Sequence, residues 1–394
     1  MLAREQTLAR RDFLRASGAL TLAVLTGRAA ASLPSLTAIE WPFHGAVLNY
    51  RHGRQVDGGL EITVSGIAPV EYRVTVNGQE ATRAGQRFFA PVVLRERVTE
   101  IVAVSEGITG RQEHRVRVVW DRHSFPRYRF AIDDNSFFLR DIAQNGYRSL
   151  FDCFYLARLR ELHQKYGTKF VLNIYYTTGD DFNLSKFPDR YRSEWADNAE
   201  WLRLAFHAYA DEPARPYQNA SPNKLAADYD LVAEQVLRFA GEQTWTPTTI
   251  VHWGMVLPVA LPVLRQRGVR VLSGYFRKIG GLWDVNYNLD PIRSEYLYRH
   301  DALMDFDVDI VFSKIDVVCN TMTPAQVVQT LAPLVEDVNT AEIMDLMTHE
   351  QYFWSFYSNY LPDHWERVEA AIRFVSERGY KPVFLHEGFL GAPE

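Results

Sequence analysis

The stretch Arg127-Tyr-Arg-Phe-Ala-Ile-Asp-Asp-Asn135, RYRFAIDDN, runs an apolar strand pattern straight into two adjacent aspartates. A strand end ordinarily needs one Asp or Asn, whose short side chain bonds nearby backbone and starts a turn. Side-chain alternation sends neighbours to opposite faces. Asp133 and Asp134 can therefore serve one site only where the strand ends and the chain bends.

From this stretch onward, strand and helix patterns alternate. RYRFAI, TKFVLNIYY, WLRLAF, TTIVHW, VRVLSGYF, DIVFSKI, IMDLMT and KPVFL read as strands, with amphipathic stretches such as KLAADYDLVAEQVLRFAGE and PDHWERVEAAIRFVSERG between them. Seven or eight buried strands, each followed by a helix or a long loop, predict an α/β fold, a (β/α)7–8 barrel over residues 127–394. An open doubly wound sheet is the runner-up, but no Gly-rich nucleotide fingerprint follows the first strand. Residues 38–122 have a different rhythm. Short alternating segments (GLEITVSGIAP, EYRVTVNGQEA, EHRVRVVW) are broken by turn signals such as Asn77-Gly78. They predict a small all-β sandwich of immunoglobulin-like type, joined to the barrel through DRHSFPRY.

Residues 1–31 read as an export signal. Arg10-Arg11 precede Phe13-Leu14, a short apolar run follows, and Ala29 and Ala31 suit a cleavage site. The arrangement resembles a twin-arginine signal, which implies a periplasmic or secreted protein. Loss of its five arginines and two acids takes the charge from −5 to about −8. No basic block suits a phosphate backbone, so nucleic acid is not an expected partner. No later apolar run approaches the roughly 20 residues that span a bilayer, so no stable membrane insertion is expected once the signal is cleaved. Two cysteines, Cys153 and Cys319, make no disulfide framework and are expected as buried thiols.

Barrel chemistry collects at the C-terminal ends of strands. There the sequence places Asp133 and Asp134, His207, His252, His349 with Glu350, and His386 with Glu387. Together these residues point to a shared metal or acid–base site. In FHAYADEP, His207 and Asp211 stand four apart, and imidazole and carboxylate both suit Zn²⁺ and similar divalent ions. A loop acid or helix cap is an equal alternative for Asp211. Tyr175-Tyr176, Tyr209 and Trp253 are among the aromatics near the same predicted rim, where aromatic faces line sugar clefts.

These residues resemble the polysaccharide deacetylase superfamily, carbohydrate esterases of family 4 and their relatives. FAIDD matches the family's first motif, His207-Ala-Tyr-Ala-Asp211 its His-Ser/Thr-x-x-His motif, and IMDLMTHE its late strand ending in His. FAIDDNSFFLRDI, FHAYADEPARPY, TTIVHWGM and MTHEQYF are similar to a bacterial deacetylase-like subgroup, and the likeness spans roughly residues 127–388. The resemblance implies Asp133 as catalytic base, Asp134 and His207 as metal ligands and His349 as general acid. The family's second ligand His is Asp211 here, and its Ser or Thr is Ala208. His252, at the end of a central strand, is the favoured replacement over Asp211. The implied activity is metal-dependent removal of acetyl groups from a sugar or polysaccharide, with zinc as the expected divalent ion. Two alternatives stand beside it. One is a glycoside hydrolase, lyase or epimerase drawing on Asp133, Glu350 and Glu387. The other is a non-catalytic glycan-binding protein.

Overall fold

The computed structural model describes residues 36–179, 181–388 and 390. The expected export signal, residues 1–31, lies outside the described residues. Between Ala38 and Trp120 the chain makes two five-stranded sheets. Burial alternates along their strands, as in Gly59–Ile67 and Arg87–Leu94. That alternation follows from period-two side-chain direction. Ile62, Val64, Phe88 and Val92 of one sheet share a core with Val74, Ile101, Val116 and Val118 of the other.

Six labelled strands carry the second half: β1 (Arg127–Asn135), β2 (Phe170–Tyr175), β3 (Leu202–Ala208), β4 (Val271–Gly274), β5 (Ile310–Lys314) and β6 (Ile343–His349). Every residue of β1 and β2 is buried. Strands of a parallel sheet are covered on both faces, so a continuous apolar run rather than an alternating one is what they require. β1 pairs in parallel with β2 and with β6, and β2 with β3. Beyond β3, Leu204 exchanges backbone bonds with Thr244 and Thr246, and Ser273 of β4 donates to Thr249. β4 pairs in parallel with β5, and Val317-Val318 just after β5 pair with Leu346-Met347 of β6. The hydrogen-bonded path thus returns to β1 and closes a ring.

Two expected strands depart from the pattern. Pro247 interrupts the segment before TTIVHW, and a residue without an N–H cannot hold a regular ladder. This segment joins the ring by a few bonds only. KPVFL pairs over just Lys381–Pro382, against Arg127 and Tyr128 at the start of β1. It then turns at Phe384–Gly388 across the N-terminal end of the ring.

The helices α1 (Phe137–Asn145), α2 (Phe154–Tyr166), α3 (Pro222–Phe239), α4 (Pro324–Leu334) and α5 (His364–Glu377) include those expected from the amphipathic stretches. Their buried faces join one large core with the strands. Cys153 and Cys319 are buried free thiols.

Candidate metal centre

β1 answers its own question at Asp134. This residue has φ +59°, the left-handed region, which Asp tolerates better than most residues because its side chain bonds locally. The pairing of β1 with β2 slips between Ile132 and Asn135. The bend breaks the alternation, so Asp133 and Asp134 line the same cleft.

Three atoms converge there, two from the ends of β1 and β3 and one from the turn His252–Gly254 that follows the irregular segment. Asp134 Oδ1 lies 3.1 Å from His207 Nε2 and 3.3 Å from His252 Nδ1, and the two nitrogens are 3.1 Å apart. The opposite nitrogen of each ring meets a backbone carbonyl: His207 Nδ1 donates to Ile250 at 2.7 Å, and His252 Nε2 donates to Asp211 at 3.2 Å. A carbonyl can only accept, so each ring proton is fixed on the outer nitrogen and a neutral ring turns its lone pair inward. Burial lowers the pKa of His207 and keeps it neutral. Three inward lone pairs at this spacing repel one another unless a cation lies between them. A zinc ion bound at about 2.0–2.1 Å with tetrahedral geometry holds its donors about 3.3 Å apart. The trio fits it.

The surrounding groups complete the cleft. Asn173 Nδ2 donates to Asp133 Oδ1 at 2.8 Å. Burial, then the neighbouring Asp134, pushes the Asp133 carboxyl well above the carboxylate range. Gln351 Nε2 donates to Asp134 Oδ2 at 2.8 Å. His349 Nδ1 donates to Asn320 Oδ1 at 2.8 Å, and its Nε2 is 4.0 Å from Asp134 Oδ2. The cleft encloses about 340 Å³ and is lined by Asp133, Asp134, His207, His252, Trp253 and His349 among others. A second lobe of about 400 Å³ shares Asp134, Asp211, Gln351 and Tyr357 with it.

No family model matches the chain, and a search of curated proteins finds no match. Among solved structures, the chain is similar to 4-alpha-glucanotransferase from Thermococcus litoralis at 14% identity and TM-score 0.43, over 67% of this chain. The chain spans only 40% of that enzyme's length. It is also similar to a GH5 xyloglucanase from Bacteroides ovatus at 10% identity and TM-score 0.19, over 91% of this chain and 97% of that one. Likeness at these scores assigns no activity.

Several expected site residues stand elsewhere. Asp211 is outside the trio: its carbonyl orients His252, while its side chain is 69% exposed and its carboxylate is 3.7 Å from His252 Nε2. Glu350 does not face the cleft. Its carboxylate accepts from the backbone N–H groups of Ser136, Phe137 and Phe138 and from Trp354 Nε1, which caps α1. Glu387 pairs with Lys169 and Arg203. Both precede or open strands, so Glu387 lies at the end of the ring opposite the trio, as does the turn holding His386. KPVFL never crosses the ring, and this is the physical reason. Tyr176 and Tyr209 stack on each other at 5.3 Å and are absent from the walls of both lobes. Trp253 does line the cleft, at φ +63° with the Arg215 guanidinium over its ring.

Three residues escaped the sequence reading: Asn173, Asn320 and Gln351. Asn173 carried a usable signal, since a lone amide inside the buried run FVLNIY must find partners.

Proposed function

We propose that the chain is a metal-dependent hydrolase of the polysaccharide deacetylase kind, exported from the cytoplasm, that removes acetyl groups from an acetylated sugar or polysaccharide. The observation that carries this reading is the inward-facing trio Asp134, His207 and His252, with Asp133 and His349 on the walls of the same cleft. A divalent ion bound by the trio, zinc in this reading, supplies Lewis acidity and lowers the pKa of a water beside it.

The chain's own groups then handle the protons. Asn173 fixes Asp133 through Oδ1, leaving Oδ2 to take the proton of the attacking water. Asn320 fixes the His349 ring through Nδ1, so Nε2 is the atom that delivers a proton to the departing amine or alkoxide. In the metal-free chain the two groups lean the other way. Burial and Asp134 raise the pKa of Asp133, and burial lowers that of His349. A cation beside Asp133 opposes the first tendency.

A glycosidase needs a second carboxylate across the scissile bond from Asp133. Glu350 is spent on α1 and Glu387 lies at the far end of the ring, which weakens that alternative. Acetate release from acetylated glycans tests the proposal, using zinc-loaded protein and its Asp133→Asn and His207→Ala variants. Release by the parent and loss in both variants is expected. No release from any acetylated glycan by protein carrying one zinc per chain contradicts the proposal, and retained glycan binding would then favour a binding protein.

A further inference from the structure

β2 ends by placing a phenol among the inward-facing atoms rather than on the cleft rim. Tyr175 is 2% exposed. Its hydroxyl donates to Asp134 Oδ1 and lies 3.0 Å from His252 Nδ1. The hydroxyl oxygen therefore touches two of the three trio atoms, and it also lies 3.3 Å from Asp211 Oδ1 at the edge of the set. The ring packs against His207 at 5.4 Å and edge-on to His252 at 5.2 Å. In a close-packed interior, the oxygen cannot swing away without displacing those two imidazoles.

A cation held by Asp134 and His252 takes up the two lone pairs that the phenol now faces. The phenol oxygen is then left beside that cation, and oxygen joins nitrogen readily around divalent ions.

We propose that Tyr175 Oη is the fourth protein ligand of the metal centre, completing a set of two nitrogens and two oxygens with Asp134, His207 and His252. The phenol proton passes to solvent as the ion binds. This inference rests on the metal-centre reading given above. A water beside the bound ion would be a further donor, and zinc sites can expand to five donors during reaction.

The test uses metal-free full-length protein, with Fe³⁺ as a spectroscopic probe and Zn²⁺ as an affinity probe, in the parent, Tyr175→Phe and Tyr176→Phe. The parent and Tyr176→Phe are expected to develop a visible phenolate-to-iron charge-transfer band that Tyr175→Phe lacks. Zn²⁺ affinity is expected to fall tenfold or more in Tyr175→Phe, with circular dichroism and melting temperature unchanged. One zinc bound, no band, and equal affinity in Tyr175→Phe overturns the ligand assignment while leaving the metal centre standing. Failure of the parent to bind either ion overturns both. If Tyr175→Phe does not fold, the parent's band still decides: phenolate modes in its resonance Raman spectrum that persist in Tyr176→Phe support Tyr175, and a band without them overturns it.

Discussion

His207 Nε2 and His252 Nδ1 stand 3.1 Å apart, each ring aimed by the backbone carbonyl that its other nitrogen meets. The carbonyl that aims His252 belongs to Asp211, whose side chain is exposed. Replacing that side chain leaves the orienting atom in place. Asp211→Ala is therefore expected to keep zinc affinity within about threefold, whereas His252→Ala loses about a hundredfold or more. Competition against a chromophoric chelator reads both. Equal losses in the two variants would return Asp211 to the ligand set.

Glu350 gathers three consecutive amides at the start of α1, with N···O distances of 2.6, 2.8 and 2.6 Å. A carboxylate there satisfies orphan donors and complements the helix dipole. Burial raises the Glu350 pKa to about 7 against the pull of these amides, so above that pH Glu350→Gln keeps the shape but loses the charge, and a loss of about 1–3 kcal/mol in unfolding free energy is expected there. Urea denaturation measures it. Unchanged stability with weakened glycan binding would instead make Glu350 a substrate contact.

His364 is buried, and burial lowers its pKa to about 3. An unfolded His titrates near 6.5. Below that value the unfolded chain binds the proton first, so this contribution to stability is complete above about pH 6.5 and is lost as pH falls toward 3. The limiting slope is about 1.4 kcal/mol per pH unit. Denaturation curves from pH 7 to 4.5 should show it, and His364→Gln should flatten it. A slope identical in parent and variant would place the effect on other groups.

How much of this was legible beforehand varies by residue. Runs such as FAIDD and FVLNIY declare buried parallel strands, because both faces must be apolar. The strand-end positions of Asp134, His207 and His252 follow from the same rhythm. Glu350 was not legible: a carboxylate after a strand faces either a cleft or a neighbouring helix start, and only tertiary packing chooses. Glu387 failed for a local reason, since KPVFL pairs over two residues and then turns, leaving the acid at the opposite end. Tyr175 looked like one rim aromatic among many, because strand alternation does not tell which of two adjacent tyrosines turns inward at a strand end.

Asn320 holds His349 through an uncharged amide. Asn320→Asp puts a negative charge at the same distance, which favours the imidazolium. The His349 pKa is expected to rise by about one unit or more, followed by NMR titration of metal-free protein. An unmoved or lowered value would mean that Asn320 does not contact His349 in solution.

The central claim is that Asp134, His207 and His252 hold one divalent ion beside Asp133 and His349. Crystals grown with zinc, measured on both sides of the zinc absorption edge, test it most directly. One anomalous peak bonded to Asp134 Oδ1, His207 Nε2 and His252 Nδ1 is the predicted result. No peak at the trio, or a peak bonded elsewhere with the trio unligated, would contradict it.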